Sequence, residues 1–135
     1  MGVIGFCMGG GFALLAAPRF AFAAASVNYG LVPKDAEAVL AGACPIIAAY
    51  GGRDRFLRGH ARRLASALET LGPEHQITTY PDASHGFLNR HDGGLPHVVD
   101  KVTGYGYHEP SATDAWRQIL TFFDTHLRAA PADER

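Results

Sequence analysis

The chain has 135 residues, a formal net charge of −1 at pH 7 and a 47% share of hydrophobic residues. That length suffices for one domain with its own core, and the balanced charge without basic runs argues against a nucleic-acid partner. The longest apolar segment, residues 12–27, is interrupted by Pro18 and Arg19, so neither a membrane span nor a signal-peptide pattern is present and a cytoplasmic location is expected.

Residues 1–6 are a predicted strand running into Gly5-Phe6-Cys7-Met8-Gly9. Residues 9–17, rich in alanine and leucine, follow as a helix buried on most sides and ended by Pro18. A second strand is predicted over 21–28, a short helix over 35–40 and a third strand over 45–50. Beyond them Leu57, Ala61, Leu64, Ala65, Leu68 and Leu71 recur at helical spacing. Arg58, Arg62 and Glu69 stand opposite, and Gly72-Pro73 closes that helix. The fourth strand covers 76–81, with β-branched Ile77, Thr78 and Thr79. Ser111-Ala-Thr-Asp114 reads as a capping box opening a last helix, with Ala115, Trp116, Ile119, Leu120, Phe123 and Leu127 on one face and Trp116 as a core anchor. Alternating strands and helices argue for an α/β fold, a mostly parallel sheet flanked by helices.

The chemistry starts at Cys7. An apolar strand, a Gly-x-Cys-x-Gly turn and a helix form the nucleophile-elbow pattern with cysteine in the serine's place. Glycine at 5 and 9 is expected because a Cβ at either position would crowd the strained turn. A thiol there meets the positive end of a helix macrodipole, which favours thiolate. Asp54 follows the buried run 46–50 and is the candidate orienting acid; His85 follows the fourth strand and is the candidate base. Asp82, three residues before His85, is too close to it in sequence to serve. The chain order Cys7, Asp54, His85 is that of α/β-hydrolases, and each residue falls just past a strand, where active sites of open α/β sheets collect.

These segments resemble the dienelactone hydrolase family of the α/β-hydrolase superfamily. Gly5-Phe6-Cys7-Met8-Gly9-Gly10, Tyr50-Gly-Gly-Arg-Asp54 and Ala83-Ser-His-Gly-Phe87 carry the likeness, and the separations of 47 and 31 residues between the candidates suit it. The resemblance implies a hydrolase that opens enol lactones or cleaves related carboxylic esters through a thioester on Cys7. It implies the Met8 N–H as one oxyanion-hole donor, with the second from an earlier loop, and an arginine near position 90 for a substrate carboxylate, Asn89 and Arg90 both being possible occupants. Tyr29 and Tyr50, at strand ends, are placed beside the crevice as packing residues with wet hydroxyls, Tyr29 being the candidate substrate contact.

An α/β-hydrolase normally builds several strands before its elbow, whereas here the elbow strand opens the sequence. The expectation is the C-terminal portion of the fold: a single truncated domain over 1–127, with 128–135 as a flexible tail. The elbow strand's outer edge is then open to self-association. His91, His97 and His108 lie near Asp92, Asp100 and Glu109 in a long loop, but their spacing fits no usual metal-ligand pattern, so neither metal nor cofactor is expected. Cys7 and Cys44 make no disulfide framework and no C-x-x-C motif. Two alternatives to the hydrolase stand: a thiol redox or sensing protein using Cys7, and a non-catalytic fragment that associates through its sheet edge.

Overall fold

The computed structural model describes residues 1–90 and 106–128. Strands β1 (Gly2–Phe6), β2 (Ala24–Asn28), β3 (Ile46–Gly51) and β4 (His75–Tyr80) form one sheet in the order β1-β2-β3-β4, every neighbouring pair parallel. Helices α1 (Met8–Ala16), α2 (Ala36–Val39) and α3 (His60–Leu71) make the crossovers, and α4 (Glu109–Arg128) follows β4. The predicted alternation of strand and helix is therefore present. All five residues of β2 and all six of β3 are buried, as central parallel strands require. The first and fourth strands are only partly covered.

Helices lie on both faces. A Cβ on Gly5 would point at Gly9 of α1, whereas one on Gly2, with the opposite pleat, would meet Phe123 and Leu127 of α4. Gly59 and Gly72 bound α3, both in the left-handed region, with Gly72 N–H donating to Leu68 O at 2.8 Å. Leu64, Ala67 and Leu68 form its buried face. No helix among the described residues is long and apolar enough to cross a membrane.

The last helix departs from expectation at two points. It begins at Glu109, before the proposed capping box, because His108 takes the cap position. Its carbonyl accepts the Ala112 N–H at 2.9 Å and its Nδ1 lies 2.7 Å from Ser111 Oγ. Pro110 then falls in the first turn, where its missing N–H is harmless. The buried stripe is Ser111, Ala112, Ala115, Ile119 and Phe122, so Trp116 is no core anchor: it is 39% exposed and its ring lies 5.9 Å from that of Phe6 at the sheet edge. The series Trp116, Leu120, Phe123 and Leu127 runs along the flank of α4 nearest β1.

Candidate active site

Cys7 sits between β1 and α1 with φ 55° and ψ −118°, a strained conformation for a residue with a side chain. Packing imposes it. A Cβ on Gly5 would fall 1.9 Å from Gly9 O, and one on Gly10 would fall 2.6 Å from Asn28 O. Gly9, expected to be equally crowded, has open space where its Cβ would stand; the second indispensable glycine is Gly10, whose backbone presses on the end of β2. The main-chain oxygen of Asn28 accepts the Cys7 N–H at 3.0 Å, and its Nδ2 donates to Gly5 O at 3.1 Å and to Ser26 Oγ at 3.0 Å. Asn28 thus ties the turn from both sides.

Asn28 escaped the sequence reading. Ser26 and Asn28 interrupt an otherwise apolar buried strand, and two polar residues in such a run need partners. That was the available signal. The Asn28 Oδ1 is itself buried and has no hydrogen-bond partner among the described residues.

Asp54 and His85 are brought together by two loops that share backbone. Gly52 N–H donates to Tyr80 O at 2.7 Å and Arg53 N–H to Ala83 O at 2.9 Å. This approach depends on Gly51, where a Cβ would lie 2.6 Å from Ala83 O. Asp54 is 5% exposed, and its Oδ1 accepts the Phe56 N–H at 3.0 Å and the Leu57 N–H at 3.3 Å. Its Oδ2 lies 2.7 Å from His85 Nδ1, while His85 Nε2 lies 3.0 Å from Cys7 Sγ. Three residues separated by 47 and 31 positions therefore form one continuous contact chain. Asp82 faces away from it, paired with Arg53 at 3.0 Å.

The His85 loop is anchored by Phe87, which is fully buried, its ring 5.3 Å from Tyr80 and 5.6 Å from Tyr29. Tyr29 is also in the left-handed region, at φ 39°, and its ring lies 5.2 Å from the His85 imidazole. Its hydroxyl is not wet as expected but buried. Burial pushes the phenol well above the ordinary tyrosine range, and the neighbouring Cys7 charge adds to the rise. Tyr50 is buried as well, its hydroxyl donating to Gly30 O at 2.9 Å, and burial raises it likewise. Dense packing at the strand ends leaves no room for solvent at either phenol.

Met8 is the first residue of α1, where a backbone N–H has no acceptor within the helix. Its side chain is 68% exposed. Arg90 stands exposed five residues beyond His85. Cys44 is half-buried, and burial raises its thiol. His91, Asp92, His97 and Asp100 lie outside the described residues. No group of three potential metal-ligating side chains occurs among the described residues.

A parallel sheet with a cysteine on the turn into its first crossover helix, and with acid and histidine on the loops after later strands, defines an α/β-hydrolase fold. The chain belongs to the dienelactone hydrolase family, whose model matches residues 1–127. A Saccharolobus solfataricus protein provisionally named carboxymethylenebutenolidase is 31% identical over 119 residues, covering 88% of this chain and 42% of that protein. The carboxymethylenebutenolidase of Rhodococcus opacus is 28% identical over 143 residues, covering 98% of this chain and 52% of that protein. The chain thus spans about half the length of the curated relatives it matches. Among solved structures, a Klebsiella pneumoniae protein provisionally identified as a dienelactone hydrolase superposes with a TM-score of 0.73 at 26% identity, over 91% of this chain and 51% of that one.

Proposed function

We propose that this chain carries the nucleophile, base and orienting acid of a carboxylic ester or lactone hydrolase that works through a thioester. The observation that supports this best is the two-ended contact of His85, 3.0 Å to Cys7 Sγ and 2.7 Å to the buried Asp54 carboxylate. Nδ1–H donates to Asp54, which fixes the tautomer and leaves Nε2 to take the thiol proton.

The Cys7 sulfur attacks the carbonyl carbon and forms the C–S bond, while the carbonyl π electrons move onto oxygen. The Met8 N–H donates to that oxyanion; such a donor is worth about 10²–10³ in rate. Collapse expels the alkoxide or enolate, which takes the proton from His85 Nε2 and leaves a thioester. Water then attacks with His85 as base, the C–S bond breaks, and the acid and the free thiol are released. The Tyr29 ring walls the crevice beside His85, and Arg90 meets a substrate carboxylate with its planar fork.

The proposal extends to association through the outer edge of β1. No described strand pairs with that edge, and Ile4 and Trp116 at 39% and Leu120 at 63% exposure lie beside it. Unpaired strand edges bordered by apolar side chains recruit further chain.

Hydrolysis is tested with p-nitrophenyl acetate and a five-membered enol lactone. Turnover should vanish in Cys7→Ala and persist in Cys44→Ala. Turnover that survives Cys7→Ala would overturn Cys7 as the nucleophile, and peroxide reactivity of Cys7 unaffected by Asp54→Asn in a chain that turns over no ester would replace the hydrolase with the thiol-sensing alternative.

A further inference from the structure

A cleft of about 1040 Å³ is lined by Asp54 and Ser84 but by neither Cys7 nor His85. Its walls carry Arg53, Arg55, Arg58 and Arg62. Asp54 is the one carboxylate among its described lining residues, and it is already held by His85 and two backbone amides. Arg53 is partly neutralised by Asp82 at 3.0 Å. Arg55, Arg58 and Arg62 are exposed, and no hydrogen bond or ion pair within the described residues engages them.

Local stability does not account for this arrangement. Arg55 and Arg58 lie on the turn before α3 and Arg62 in its first turn, and these like charges line one cleft with no acid alternating between them. The first turn of a helix favours Asp or Glu over cations, yet the first turn of α3 contains no acidic residue and carries Arg62 toward the cleft, while Arg63 beside it donates to Val32 O at 2.8 Å. Gly59 leaves that terminus without a side-chain cap. A sequence that breaks charge preference at one spot without local compensation marks a functional position.

We propose that this cleft binds a compact polyanion with at least two phosphate or carboxylate groups. Guanidinium forks match both oxyanions in bidentate fashion, and three of them lining one cleft exceed what a singly charged ligand needs. Thr79 and Ser84 also line the cleft, and each brings a hydroxyl for the ligand's neutral oxygens.

Isothermal titration of pyrophosphate and of citrate into the whole chain, at fixed ionic strength, tests the site. Saturable one-to-one binding of either is expected. It should weaken at least about tenfold in Arg58→Ala/Arg62→Ala, whose fold is checked by its thermal transition, as expected when charge-assisted pairs are lost. Pyrophosphate alone saturating would identify a phosphate ligand, and citrate alone a carboxylate one. Binding in Cys7→Ala should match the wild type, which separates this site from the hydrolase reading. Failure of both anions to saturate, or equal affinity in the double variant, would overturn the proposal.

Discussion

The backbones of Gly10 and Gly30 touch: a Cβ on Gly30 would fall 2.5 Å from Gly10 C and 2.6 Å from Gly11 N. This close approach seats the start of α1 against the chain leaving β2, beside the strained Cys7. Gly30→Ala should therefore cost at least about 2–3 kcal/mol, as overpacking of rigid backbone does. Gly9→Ala, with open space around it, should be neutral or gain up to about 1 kcal/mol from lower unfolded-state entropy. Urea unfolding of both variants checks the contrast.

Asp54 performs two jobs that substitutions can separate. Its Oδ2 orients His85, and its Oδ1 holds the Phe56 and Leu57 amides. Asp54→Asn keeps an acceptor for those amides, so stability should change little while turnover falls by a factor of about 10³–10⁴. Asp54→Ala should lose turnover and, in addition, about 1–3 kcal/mol for the donors left unsatisfied. Parallel rate and denaturation measurements distinguish the two.

Alkali should weaken the fold through its buried phenols. Tyr29 and Tyr50 are both raised, chiefly by burial. Folding holds these protons while the unfolded chain releases them. Stability is full below the ordinary tyrosine range and falls as pH rises through it, by at most about 1.4 kcal/mol per pH unit for each group. Urea midpoints from neutral pH to beyond that range should decline, and the decline should be shallower in Tyr50→Phe.

The flank of α4 beside β1 should govern self-association. Leu120 is 63% exposed there, near the half-exposed Trp116. Sedimentation velocity should show concentration-dependent association of the wild-type chain and a shift toward monomer in Leu120→Glu. A wild-type chain that stays monomeric at every concentration would remove the edge-association proposal.

Much of this was legible in the sequence because period and chain order are local signals. The apolar runs gave the four strands, and Gly-x-Cys-x-Gly with Asp54 and His85 after later strands pointed to one crevice. What escaped depends on packing between distant segments. Asn28 matters through its bonds to Cys7 and Gly5, which only the β1–β2 pairing creates. The capping-box pattern at Ser111 lost to His108, whose carbonyl and ring act together. Trp116 looked like a core residue because it stands four positions after the buried Ala112 and three before the buried Ile119, close to them in helical phase. The crowding of Gly10 rather than Gly9 is fixed by where β2 ends.

The most direct test of the Cys7–His85–Asp54 arrangement is the iodoacetamide alkylation rate of each cysteine against pH, followed site by site by mass spectrometry on the folded chain. Cys44 should react slowly until high pH, because burial raises its thiol. Cys7 is exposed and its Sγ lies 3.0 Å from His85 Nε2, so it should alkylate faster than Cys44 at neutral pH, and His85→Ala should slow it. A Cys7 rate equal to that of an exposed free cysteine and unchanged by His85→Ala would contradict an assembled nucleophile and base.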